Sequence, residues 1–258
     1  MFVFNKNFGQ NFISDEILIN KIIDAAKIDK DTLVIEVGPG MGALTKKIVP
    51  LSGFSVIYEI DERLEDMLND SLKYNDNYKL IIKDFLNVDL KDEISKYNYK
   101  KVIFISNLPY YITSPILNKL ICDNIIFDRI VVMTQKEFAD KLINIKHSGS
   151  LDVFLKTFYN ITKPFNISKG YFNPMPNVDS ALLVMENNKK YKDIVDIEFY
   201  KMMVKDSFNQ KRKSIKNNLK GYNLNVIEGV LKENNKNLCI RAEDIDVDLF
   251  IKMANHVD

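Results

Sequence analysis

Leu33-Val34-Ile35-Glu36-Val37-Gly38-Pro39-Gly40-Met41-Gly42 is the stretch whose pattern sets the fold. Its first five residues are mostly β-branched and do not alternate apolar with polar. A strand of that kind is buried on both faces, as in a parallel sheet covered by helices. It runs directly into Gly-x-Gly-x-Gly, and the helix-forming Ala43-Leu44-Thr45-Lys46-Lys47 follows. Glycines between a strand and a helix let the backbone turn sharply and approach a nucleotide closely. A glycine loop alone is also compatible with a plain tight turn.

Working outward, four more short β-branched runs recur at βα spacing: Ser55–Glu59, Leu80–Ile82, Val102–Ile105 and Ile130–Met133. Helical periodicity fills most of the gaps, as at Arg63–Leu72 and Ser114–Ile121. It also precedes the first strand from Asp15 to about Ile28, where Ser14 or Asp15 can cap. The fold class is therefore α/β, a doubly wound, Rossmann-like sheet. Past about Asn160, Ile167–Tyr171 and Ala181–Met185 read as two strands joined by Phe172-Asn173-Pro174-Met175-Pro176, closing the sheet with an antiparallel hairpin. Residues 186–193 are polar and read as a linker, and only helical signals follow. The expected domains are 1–188, the cofactor-binding catalytic domain, and 189–258, a small α-helical domain.

Composition excludes several classes. The 258 residues are 46% hydrophobic and 28% charged, as in an ordinary globular protein. The net charge of +1 supplies no global basic field, so any nucleic-acid surface must be local. Cys122 and Cys239 lack metal-ligand spacing and read as free, buried thiols in a reducing compartment. No apolar run approaches the ~20 residues that span a bilayer, and Met1–Gln10 lacks a charged-then-apolar signal pattern. The expectation is a cytoplasmic protein, or one of an organelle matrix with its targeting segment absent, with neither membrane partner nor metal.

Glu59 ends the second strand, 19 residues after Gly40, where an acid can accept hydrogen bonds from ribose hydroxyls. The glycine spacing is not the Gly-x-Gly-x-x-Gly of dinucleotide binders, and no Gly-Lys-Ser/Thr for triphosphates follows. Glu36, just before Gly38, suits a cationic ligand, and S-adenosylmethionine carries both an amine and a sulfonium. Asp84 closes the third strand and could meet the cofactor's adenine amine, or simply cap a turn.

The fourth strand ends in Asn107-Leu108-Pro109-Tyr110. Ligands of such sheets bind at the carboxyl ends of the strands, so this loop should face the cofactor. An aromatic amine is a poor nucleophile because its lone pair is delocalised into the ring. The Asn107 side-chain oxygen and the Leu108 carbonyl can accept its two N–H bonds and favour a pyramidal nitrogen. Pro109 fixes the carbonyl's direction. Tyr110 offers a face for base stacking, worth about 1–3 kcal/mol.

Phe8-Gly9-Gln10-Asn11-Phe12, Val34–Gly40, Glu59-Ile60-Asp61, Asn107–Tyr110, Gln135-Lys136-Glu137, Phe172–Ala181, Lys211-Arg212-Lys213-Ser214 and Arg241-Ala242-Glu243 occur in one order along nearly the whole chain. In these motifs the sequence resembles the KsgA-type small-subunit rRNA adenine dimethyltransferases, relatives of the erythromycin-resistance methyltransferases. The resemblance implies a class I methyltransferase domain with a mostly parallel seven-stranded sheet. It implies N6,N6-dimethylation of two adjacent adenosines near the 3′ end of small-subunit rRNA, by a monomer acting on a pre-30S-like particle. Asn11 and Ile13 would fold over S-adenosylmethionine. Glu36, Gly38, Gly40, Glu59, Ile60, Asp84, Phe85 and Asn107 would complete its site. Phe172, which by itself reads as core or hairpin packing, would stack on the target base opposite Tyr110.

Three features depart from the pattern. Tyr111 stands where Asn is usual, Asp152 stands where Ser is common, and the longer basic N-terminus is nearly absent. Lys201–Lys220 holds seven basic residues against Asp206. The run is either a solvated face or, with Lys211, Arg212 and Lys213, a surface that neutralises phosphates. Other readings are a large-subunit methyltransferase, a DNA adenine methyltransferase, disfavoured by Leu108 in place of Pro, and a non-catalytic assembly or transcription factor of the same fold.

Overall fold

The structure, a computed structural model, describes residues 11–144 and 146–257. These residues form two compact units. One holds the residues up to Asp140 together with Thr162–Asn187, and the other holds Lys141–Ile161 together with those from Asn188 onward.

The first unit begins with β1 (Phe12–Ile13) and α1 (Glu16–Ala26). Asp15 caps α1 by accepting the Leu18 N–H at 2.7 Å. There follow β2 (Thr32–Val37), α2 (Thr45–Leu51), β3 (Phe54–Glu59), α3 (Glu65–Leu72), β4 (Tyr78–Ile82), α4 (Leu90–Ser95), β5 (Lys101–Asn107), α5 (Thr113–Cys122) and β6 (Arg129–Gln135). Helix α6 (Lys136–Ile143), α7 (Ser150–Phe158) and β7 (Tyr159–Thr162) lead out of this unit and back. Strands β8 (Asn166–Ile167), β9 (Phe172–Asn173) and β10 (Ser180–Asn187) complete it.

The sheet runs β4-β3-β2-β5-β6-β10-β7, with β8 also pairing with β10. The four pairings from β4 to β6 are parallel. Strand β10 lies antiparallel to β6, Ser180 opposite Gln135. Every residue of β2 is buried, as its unalternating sequence predicts. The chain runs from β2 outward through β3 to β4, then starts again on the other side of β2 at β5. This reversal opens a crevice at the carboxyl ends of β2 and β5. Helix α1 packs against β6 and β10, its Ile19, Ile22 and Ile23 joining Val131, Met133 and Leu182 in the main core cluster.

The hairpin expected from Ile167–Tyr171 forms only in part. Asn166–Ile167 pairs with Ser180–Ala181, but Lys169–Tyr171 closes into a 3-10 turn. The Ser168 hydroxyl accepts from Gly170 N–H there and competes with ladder pairing. Phe172–Asn173 then pairs with β1 instead, Ile13 opposite Phe172.

The second unit adds α8 (Ile197–Ser207), α9 (Ile215–Asn218), α10 (Leu224–Glu233) and α11 (Val247–Val257). A single cut at 188 does not describe it, because α7 packs with α8 and α11. The Thr157 and Tyr200 hydroxyls meet at 2.6 Å, and His147 N–H donates to the Glu243 carbonyl. The apolar residues of α7 look in sequence like those of any helix covering the sheet, so nothing in them marks this partner.

Asp152, one of the departures, is a buried anchor of this unit. It accepts from Ser148 N–H at 2.9 Å and pairs with Lys156 at 2.7 Å. Burial alone would raise its carboxyl, but hydrogen bonds from His147, Lys156 and Ser148 N–H hold it below the ordinary range. Cys122 and Cys239 are free but exposed, against the expectation of buried thiols. Both lie at helix or turn ends, where an amphipathic pattern gives no guide to burial. No helix among the described residues is long and apolar enough to cross a membrane.

Candidate active site

At the carboxyl end of β2 the chain enters the glycine loop with Gly38, Gly40 and Gly42 all at positive φ (69°, 58° and 76°). Side-chain-bearing residues rarely adopt that conformation, which explains the alternating glycines. Gly40 has a second reason: a Cβ there would lie 2.6 Å from the Phe12 ring. A Cβ on Gly38 would meet nothing within 4 Å, so the backbone there lies open to the crevice.

Two carboxylates flank this loop. Glu59, 4% exposed, accepts from Gly40 N–H (3.1 Å), Ile60 N–H (2.9 Å) and Asp61 N–H (2.9 Å). Burial raises its carboxyl, while those three donors oppose the rise. Glu36, 1% exposed, accepts the Thr45 hydroxyl at 3.1 Å, and its Oε2 has no partner among the described residues. Burial pushes the Glu36 carboxyl up to about 8, with the Glu59 charge adding to the rise. A buried, half-satisfied carboxylate is costly unless a donor or cation completes it.

The Ser106 hydroxyl donates to the Val37 carbonyl and ties the end of β5 to that of β2. Asn107 follows, and its Nδ2 donates to the Asn11 carbonyl at 2.9 Å. That bond commits the amide nitrogen and leaves Oδ1 without a partner among the described residues. Leu108 is buried, and the Pro109 carbonyl is taken by Ile112 N–H and the Thr113 hydroxyl. The Tyr110 hydroxyl meets Ser180 Oγ at 2.7 Å, which pins the ring to β10. Partial burial raises this phenol.

One cleft of about 1070 Å³, its open mouth included, is lined by every residue expected of the cofactor and target sites. These are Asn11, Ile13, Glu36, Gly38, Gly40, Glu59, Ile60, Asp84, Phe85, Asn107, Leu108, Pro109, Tyr110 and Phe172. Asp84 also caps the turn after β4, accepting Leu86 N–H at 2.9 Å. Phe172 is 5% exposed and belongs to the core cluster as well as to the cleft wall. Sequence reasoning passed over Phe12, whose ring covers Gly40, and Lys83 at the wall, while Tyr111, noted as a departure from the family pattern, lines the same cleft. Phe12 sat inside a quoted motif, but nothing local marked its ring as facing the glycine loop. Phe8, Gly9 and Gln10 of that motif lie outside the described residues.

Lys211, Arg212 and Lys213 lie in the second unit and are exposed. They form a turn between α8 and α9, in a stretch where the sequence carries only helical signals. Among the described residues no cluster of His, Cys, Asp and Glu is placed to hold a metal ion.

The site fits S-adenosylmethionine by its donor set. Among the described residues Glu36 lacks a partner for one oxygen, the glycine loop leaves backbone room, and Glu59 and Asp84 add acceptors along the same wall. Structural likeness gives the class, the methyltransferases of Rossmann-like fold. A dimethyladenosine transferase from Plasmodium falciparum superposes with a TM-score of 0.74 at 25% identity, covering 94% of this chain and 95% of that one. A 23S rRNA methyltransferase, ErmE, superposes at 0.73 with 24% identity over 96% and 100%, and shows the fold alone.

The family model "Ribosomal RNA adenine dimethylase" matches residues 1–258, and the chain belongs to that family. A protein of Mycoplasma capricolum called ribosomal RNA small subunit methyltransferase A is 40% identical, covering 97% of this chain and 96% of its own. One of the same name from Streptococcus thermophilus is 41% identical, over 84% and 77%. The protein is an enzyme, a methyltransferase.

Proposed function

We propose that the protein transfers methyl groups from S-adenosylmethionine to the N6 amines of two adjacent adenosines near the 3′ end of small-subunit rRNA, making N6,N6-dimethyladenosine. The observation that carries the chemistry is Asn107-Leu108-Pro109-Tyr110 at the carboxyl end of β5, on the wall of a cleft that also holds Glu36 and the glycine loop. The small-subunit target is supported by the names of relatives that match nearly the whole chain.

Glu36 would hold the cofactor's amine through its unpartnered oxygen, Glu59 the ribose hydroxyls and Asp84 the adenine amine, with Asn11, Ile13, Ile60 and Phe85 closing around them. The bound sulfonium supplies an activated methyl group and a neutral thioether leaving group. Asn107 Oδ1 and the Leu108 carbonyl would accept the two N–H bonds of the target amine and localise its lone pair. Tyr110, held by Ser180, and Phe172, held in the core, would grip the adenine between fixed faces. Most of the rate then comes from positioning. Lys211, Arg212 and Lys213 would contact phosphates from the second unit. We place the monomer in the cytoplasm, on a pre-30S-like particle.

The test is to incubate the protein with labelled S-adenosylmethionine and under-methylated small subunits, large subunits or duplex DNA, and to map the modified base. Label on adjacent adenosines of small-subunit rRNA is expected. Label confined to large-subunit RNA would overturn the substrate, and ribosome binding without label would favour an assembly factor.

A further inference from the structure

Tyr111 directly follows the catalytic loop, yet its surroundings differ from those of Tyr110. It is 61% exposed, and its hydroxyl has no hydrogen-bond partner among the described residues. The ring stands in a 3-10 turn, Tyr110–Ile112, that leads into α5. Helix α5 packs on the turn Phe85–Asn87, which Asp84 caps. Tyr111 therefore shares the cleft wall with Asp84, Phe85 and the part-exposed Ile60. Partial burial and the Asp84 charge both raise its phenol, as expected for a ring beside that carboxylate.

We propose that Tyr111 covers the adenine ring of the cofactor, closing the Asp84 end of the cleft together with Ile60. This rests on the reading that Asp84 receives that adenine. An acceptor for the exocyclic amine and an aromatic face beside it make a set suited to an uncharged purine. The target base has its own aromatic pair at Asn107, in Tyr110 and Phe172. A side chain so exposed contributes little to the core, so its removal leaves the fold intact.

Binding to the full-length protein separates the possibilities, with S-adenosylhomocysteine measured by calorimetry and adenosine as its competitor. Tyr111→Asn should weaken both ligands by the same factor, about tenfold for the loss of one stacking face. Tyr111→Phe should bind both like the parent, and all three proteins should melt at the same temperature. Unchanged affinity of Tyr111→Asn for S-adenosylhomocysteine would overturn the proposal. So would a defect confined to the KM for RNA, which would place the ring on the substrate strand. A parent protein that binds neither ligand would overturn the reading of the cleft, and the role of Tyr111 with it.

Discussion

Burial pushes the Glu36 carboxyl up to about 8, so near neutral pH the side chain keeps its proton until a cation arrives. The folded-state value lies above the ordinary 4.5, so its contribution to the stability of the free protein is full below that pH. It is lost as the pH rises through about 8. Cofactor affinity has the opposite sign, because an ammonium group favours the carboxylate. Calorimetry between pH 6 and 8 should show binding tighten as the pH rises, by up to about tenfold per unit, with proton release below 8. Glu36→Gln should bind weakly and lose that slope. Asn107→Ala should keep cofactor affinity and lose turnover by about 10²–10³-fold, the usual cost of one oriented transition-state hydrogen bond; single-turnover methylation measures it. At this scale the sequence picked out residues that the fold gathers into one cleft. Glycine, carboxylate and Asn-Leu-Pro-Tyr positions carry chemistry in their residue types. Phe12 was not legible, because its contact with Gly40 spans two elements distant in the chain.

The short pairing of β1 with β9 joins residues at opposite ends of the first unit's sequence. Ile13 faces Phe172, and Asn11 accepts from Asn107. Phe172 thus serves two ends, core packing and a wall of the cleft. Phe172→Ala would remove a buried ring at about 3–5 kcal/mol and confound the two roles. Phe172→Leu should cost under about 1.5 kcal/mol in urea melts yet lower turnover on RNA, because it keeps the volume and loses the aromatic face. Equal turnover would reduce Phe172 to packing. The parallel strands were legible because β2 to β6 are short, β-branched and buried on both faces. The Ile167–Tyr171 strand was misjudged because its apolar pattern competes with Ser168, Gly170 and the proline-broken loop beyond. Turn chemistry won there.

For the whole molecule, the cleft residues and the exposed Lys211-Arg212-Lys213 turn lie in different units. Replacing those three residues with Ala should weaken RNA binding uniformly across sequences. It should lower the slope of log affinity against log salt by about 2–3 if each meets a phosphate. Cofactor affinity, titrated in parallel, should not move. The boundary between the units was only half visible in sequence. The polar stretch at 186–193 shows as a change of composition, whereas the earlier excursion through α7 reads like one more βα repeat. The position of β10 also bears on how the enzyme is made. Among the described residues it is the last strand along the chain, yet it pairs along the full length of β6 and supplies Ser180 to Tyr110. A nascent chain that has not reached residue 180 carries the glycine loop and the Asn107–Tyr110 loop beside an open, apolar sheet edge, Ile130 to Met133. Such an edge invites pairing with other chains. The sheet and the anchor of the Tyr110 ring are therefore completed late in translation, once β10 covers that edge.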